Sequence, residues 1–143
     1  MGNEEDVVLA KTAIIKKCVA TIVEIQAADL TPWMSLDLSV LNLQRAIQAA
    51  IDLAHVVIAK YGFGLPSDYG QSFDLLAKHQ IIDLEISKIL KKMVGFRNIS
   101  VHEYQEINSE IVQSIIKQHL GDFEVYYTQI HKFVFVSEPL SKE

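Results

Sequence analysis

A chain of 143 residues, half of them hydrophobic, is long enough to bury one core and too apolar to be disordered. Its formal charge of −5 has the wrong sign for a generic nucleic-acid coat, which needs several Lys or Arg on one surface. The lone cysteine, Cys18, excludes an internal disulfide framework and fits a reducing compartment.

The opening run Asn3-Glu4-Glu5-Asp6 is acidic where a signal peptide would be basic, and charges interrupt every apolar stretch well short of a membrane span. A cytoplasmic protein with no membrane segment is expected. Over residues 7–28, Val8, Ile15, Val19, Ile22 and Ile25 recur at helical spacing, with Cys18 alongside. Asp29-Leu30-Thr31-Pro32 breaks that pattern, and Ser35 or Asp37 is the expected cap of a second helix reaching about residue 60. Its apolar stripe is Val40, Leu43, Ile47, Ile51, Ala54 and Ile58.

Tyr61-Gly62-Phe63-Gly64-Leu65-Pro66 is the strongest break in the chain. Ser67 or Asp68 is positioned to cap a short third helix ending near residue 78. A fourth helix is expected over residues 82–97, with Gly95 in its last turn, and a fifth over residues 109–135, capped by Asn108. The run Phe133-Val134-Phe135-Val136 has strand composition but is read as the end of that helix. Pro139 marks the tail. No segment shows sustained two-residue alternation, repeats or a second-domain linker. The expectation is all-α: an up-and-down bundle of about five helices forming a single domain over residues 1–143.

Between helices four and five lies Arg97-Asn98-Ile99-Ser100-Val101-His102-Glu103-Tyr104. A permanent cation, a carboxamide, an imidazole and a phenol fall within eight residues. Arginine stays charged near pH 7, and an unperturbed histidine titrates close to it. Together they suit holding a phosphate and moving a proton. If helix continues through the motif, Arg97, Ser100-Val101 and Tyr104 share a face and His102 points elsewhere. A break after Asn98 would let Arg97 and His102 converge, and Gly95 with the modest helix formers Ile99, Ser100 and Val101 permits one. Alternatively, Arg97 and His102 only complete unpaired carbonyls at a helix end. Lys88, Lys91 and Lys92 lie just upstream, either as a solvated helix face or as contacts for a phosphate backbone.

Arg-x4-His followed by x-Tyr, with Asn directly after the Arg, resembles the signature of the HEPN superfamily (higher eukaryotes and prokaryotes nucleotide-binding), and more narrowly the HepT toxins of prokaryotic toxin–antitoxin modules. Residues 45–54 resemble the second helix of that family, and residues 64–76 its loop and third helix. The resemblance implies a HEPN-like helical domain and a homodimer in which two motifs face one cleft. It also implies a metal-independent endoribonuclease that needs no cofactor. In it Arg97 and His102 would be catalytic, Asn98 supporting, and Lys88, Lys91 and Lys92 contacts for RNA. The expected partner is a minimal nucleotidyltransferase antitoxin that adenylylates Tyr104. Because many HEPN domains do not cut RNA, the alternative is a non-catalytic nucleotide-binding or docking module for such a partner.

Other candidates are weaker. His55, His79, His119 and His131 form no His-x3-His pattern, and no Cys-x2-Cys occurs, so no metal site is expected. Asp52 and Asp83 are isolated carboxylates; Asp52 ranks slightly higher, since polar residues of the second helix approach the cleft in HEPN folds. Gly62-x-Gly64 lacks the strand context of a dinucleotide loop.

Overall fold

The computed structural model describes residues 3–137. Five helices follow in chain order: α1 (Asn3–Ala27), α2 (Pro32–Tyr61), α3 (Tyr69–Lys78), α4 (Leu84–His102) and α5 (Ser109–His131). A 3-10 turn, Tyr104–Glu106, links α4 to α5, and a π-helical extension, Lys132–Ser137, follows α5. The described residues contain no strand. The all-α expectation is met; Pro139 lies outside the described residues.

Helix boundaries follow from local chemistry. α2 begins earlier than its polar residues suggest. Pro32 occupies the first turn, where its missing N–H is no loss, and the Thr31 hydroxyl accepts from the Met34 amide at 3.3 Å. Ser35 and Asp37 are therefore inside the helix rather than at its cap. At the other end Gly62 takes the left-handed conformation, φ 68, that releases the chain. Asp68, Asp83 and Asn108 each accept a backbone N–H at the start of α3, α4 and α5. Asp83 also exchanges two hydrogen bonds with the Gln129 carboxamide of α5, at 3.0 and 2.9 Å. The Ile86 amide and then Gln129 hold its carboxyl below the ordinary range, which marks Asp83 as a cap rather than an acid–base group.

Side-chain pairs show the helices running back on one another. Lys11 of α1 meets Asp52 of α2 at 3.1 Å, while Gln26 reaches Ser39 at 3.0 Å, so these two helices are antiparallel. Asp52 thus ties α1 to α2, with Gln48 holding its second oxygen at 2.9 Å. α3 and α4 are likewise antiparallel, with Asp74 against Lys91 and Tyr69 against Arg97. The core runs along α2, whose Leu43, Ala46, Ala50, Leu53, Ala54 and Val57 are sealed between the other helices. Small alanines there allow close approach of neighbouring backbones.

Two polar ties cross this core. The phenol of fully buried Tyr126 donates to the Ala50 carbonyl at 2.8 Å, and its ring meets Phe73 edge-on at 5.7 Å. The Thr12 hydroxyl donates to the Val8 carbonyl and lies 2.8 Å from Nε2 of His131. With its proton committed, Thr12 can only accept, so Nε2 of His131 carries hydrogen. Burial first, then the Lys16 charge, pushes the His131 imidazole below its ordinary value.

Tyr126→Phe should cost about 1 kcal/mol of unfolding free energy, the net value of one such hydrogen bond, measured by urea denaturation. His131 is held neutral in the fold, so the unfolded chain binds its proton first as pH falls. Stability is then full above pH 6.5 and declines as pH drops below that value. The denaturation midpoint plotted from pH 7.5 to 5 should lose this component in His131→Gln.

Candidate active site

The motif Arg97-Asn98-Ile99-Ser100-Val101-His102 is continuous helix: α4 ends at His102, and Glu103 is the first residue outside it. The break after Asn98 that would bring Arg97 to His102 does not occur. The reason lies 56 residues upstream. The Gln44 carboxamide of α2 donates to both the carbonyl and the hydroxyl of Ser100, at 3.1 and 3.0 Å. Ser100 is buried, and its hydroxyl donates back to the Arg97 carbonyl at 2.7 Å. These bonds hold the last turn of α4 in place despite the weak helix formers there.

Helix continuity separates the two principal side chains. Five residues apart, they project about 140° apart around α4. Arg97 lies over the Tyr69 ring of α3, its guanidinium carbon 5.6 Å from the centroid, and donates to the Asn98 carboxamide at 3.1 Å. Asn98 therefore orients the arginine. Among the described residues no carboxylate pairs with Arg97, which leaves its charge available to an anion. His102 is exposed at the end of the helix. It follows Lys91 by eleven residues, three turns on with a drift of about 20°, and so continues the stripe of Lys88 and Lys91.

The three lysines are not equivalent. Lys91 is paired with Asp74 at 3.0 Å, which partly neutralises it. Lys88 and Lys92 are exposed without a carboxylate among the described residues. Lys92 rims a cavity of about 250 Å³ lined by Met93, Phe96, Ile115 and His119.

Tyr104 begins the 3-10 turn after α4 and is 45% exposed. Its hydroxyl donates to Asp37 of α2. That hydrogen bond, then burial, then the Asp37 charge push the phenol up to about 12. Neither Asp37 nor Gln44 announces a role in the sequence, because each meets the motif only through the packing of α2 against α4.

The remaining histidines have structural partners. His55 lies 2.9 Å from the Ser72 hydroxyl, His79 stacks on Phe63 with centroids 3.8 Å apart, and His119 pairs with Asp122 at 2.7 Å. Among the described residues no cluster of three His, Cys, Asp or Glu is arranged to hold a metal ion. A cavity of about 500 Å³ beside Asp83 and Gln129 touches none of the motif residues. Another, of about 400 Å³, is lined by His55, Leu65, Asp68 and Tyr69, so it lies next to the ring under Arg97. No helix among the described residues is long and apolar enough to cross a membrane.

A family model described as ribonuclease HepT-like matches residues 12–130. The mRNA nuclease HepT of Shewanella oneidensis is 40% identical over 124 residues, covering 85% of this chain and 93% of that protein. The tRNA nuclease HepT of Aphanizomenon flos-aquae is 32% identical over 96 residues, 67% of this chain and 65% of its own length. Among solved structures, a tri-AMPylated Shewanella oneidensis HEPN toxin in complex with MNT antitoxin superposes with a TM-score of 0.82 at 38% identity, covering 87% of this chain and 96% of that chain.

The Asp37 contact makes a spectroscopic prediction. In protein labelled at the tyrosine ζ-carbon, the Tyr104 resonance should titrate near 12, and Asp37→Asn should return it toward the ordinary value of about 10. A Tyr104 midpoint unmoved by the substitution would show that the carboxylate does not hold the phenol in solution.

Proposed function

The chain belongs to the ribonuclease HepT-like family, and from that membership we propose that it is the toxin of a type VII-like toxin–antitoxin module, an endoribonuclease silenced by adenylylation of Tyr104. The observation that carries the chemistry is the Arg97 guanidinium. It is oriented by Asn98 and Tyr69 and unpaired with any carboxylate among the described residues, five residues before an exposed imidazole. The RNA targets of the two HepT relatives differ, messenger in one and transfer in the other, so family membership supports RNA as the substrate without selecting its class.

RNA supplies its own nucleophile, and the reaction needs a proton acceptor, a proton donor and a cation for the phosphate. His102 takes the proton of a ribose 2′-hydroxyl; the 2′-oxygen attacks the adjacent phosphorus, and the bond to the 5′-oxygen breaks. An imidazolium protonates that leaving oxygen, and the product carries a 2′,3′-cyclic phosphate. Arg97 pairs with the non-bridging oxygens as negative charge grows on them. Every one of these roles is met by side chains, so no metal is required.

The separation of Arg97 from His102 around α4 favours a site completed by a second copy of the chain, with two motifs across one cleft. A two-fold axis then presents two arginines and two histidines to one strand, allowing one imidazole to act as base and the other as acid. Lys88 and Lys92, and to a lesser degree Lys91, extend the positive stripe along which RNA approaches.

Tyr104 is the control point. A nucleotidyltransferase antitoxin would attach AMP to its phenol, two residues from His102. The added nucleotide brings bulk and negative charge to the place where RNA phosphate must lie, and excludes it sterically and by like-charge repulsion. The whole chain acts as one HEPN-like domain, in the cytoplasm, where RNA and antitoxin meet it.

Purified, unmodified protein should cleave RNA in the presence of a divalent-metal chelator. Arg97→Ala and His102→Ala should each lower the rate at least about 100-fold. Equal cleavage by wild type and both variants would identify a contaminating nuclease and defeat the assignment.

A further inference from the structure

We propose that Asp37 is the general base of Tyr104 adenylylation: the toxin brings its own proton acceptor to the reaction that silences it. This rests on Tyr104 being the acceptor of the nucleotide. The Tyr104 hydroxyl already donates to the Asp37 carboxylate in the unmodified chain, so donor and base are aligned before any partner arrives.

The chemistry requires such a group. A neutral phenol is a poor nucleophile, and here Asp37 and burial push its pKa up to about 12, which makes free phenolate scarcer still at neutral pH. The proton must therefore leave as the new bond forms. The co-reactant is ATP bound to the antitoxin. As the Tyr104 oxygen bonds to the α-phosphorus, its proton passes to Asp37, the bond from the α-phosphorus to the bridging oxygen breaks, and that oxygen's electron pair leaves with pyrophosphate. Transfer also turns Asp37 neutral as a negatively charged nucleotide is fixed beside it, removing a repulsion that would otherwise oppose the product.

Position favours Asp37 over other carboxylates. Glu103 and Glu106 are nearer in sequence, yet neither accepts the phenolic proton; Asp37, 67 residues away on α2, does. Asp37 is exposed and Tyr104 is 45% exposed, so a partner-bound triphosphate can approach the phenolic oxygen from solvent. Trp33 and Leu41, one turn before and after Asp37 on α2, are also exposed, leaving that face of the helix open.

The test is the single-turnover rate of AMP transfer to the full-length toxin at saturating antitoxin and ATP, followed by intact mass, so that weaker docking is not counted as slower chemistry. Asp37→Asn preserves size and an acceptor oxygen but cannot take a proton. It should slow transfer at pH 7 by about 100-fold or more, the usual value of a positioned base. The deficit should narrow as pH rises toward 10, where the phenol ionises unaided. Asp37→Glu should recover part of the rate, and Glu106→Gln should transfer like wild type. Transfer to Asp37→Asn at the wild-type rate or faster at pH 7, or a deficit that does not change with pH, would overturn the proposal. Tyr104→Phe separates it from its premise: continued AMP incorporation there would show that another residue is the acceptor, whereas none, together with a normal Asp37→Asn rate, would remove Asp37 alone.

Discussion

The Gln44 carboxamide gripping both polar atoms of Ser100 is the contact on which the geometry of the motif depends. Without it the last turn of α4 would rest on Ile99, Ser100 and Val101, none of them strong helix formers, behind a glycine that weakens the turn before. With it the helix reaches His102, and every candidate side chain takes its direction from that fact. Arg97 is turned toward α3, His102 toward the lysine stripe, and the chain leaves the helix at Glu103 in time to place Tyr104 over α2.

The consequence is a site divided within one chain. A flexible loop could have brought guanidinium and imidazole together in a single copy, at an entropic cost on every encounter with substrate. A rigid helix fixes both but holds them about 140° apart, which is why the proposed mechanism completes the site with a second copy. This also reconciles a net charge of −5 with RNA as substrate. The surface need not be basic overall if the proposed two-fold cleft gathers Arg97, Lys88 and Lys92 from both copies at one place.

Much of this arrangement is legible in the sequence, and the parts that are not share a cause. Asp68 and Asn108 were identifiable as caps, because capping is local: a short polar side chain and an amide two or three residues on. The apolar stripe of α2 was legible because helical period and burial coincide. Thr31-Pro32 was misleading. Proline in the middle of a pattern signals a break, whereas in the first turn it is at home, and only the preceding threonine distinguishes the two. The aromatic run Phe133-Val134-Phe135-Val136 belongs to a helical extension of π type rather than a strand. The continuity of α4, the ties of Asp52 and the partner of Tyr104 were beyond local reasoning. Each is decided by contact between residues 41 to 67 positions apart.

That dependence on α2 bears on why a phenol, rather than the histidine, suits the proposed modification. Among the described residues no side chain bonds to His102 at the helix end, and a group attached to its imidazole would remove the proposed base directly. Tyr104 is held on two sides, by the 3-10 turn in the backbone and by Asp37 at the hydroxyl. A nucleotide joined to that oxygen takes the place of the proton donated to Asp37, so its origin is set by the 3-10 turn, two residues past His102. Blocking by a charge placed on Tyr104 would leave the proposed catalytic side chains chemically untouched. Both the proposed cutting and the proposed silencing rely on the same packing of α2 against the end of α4.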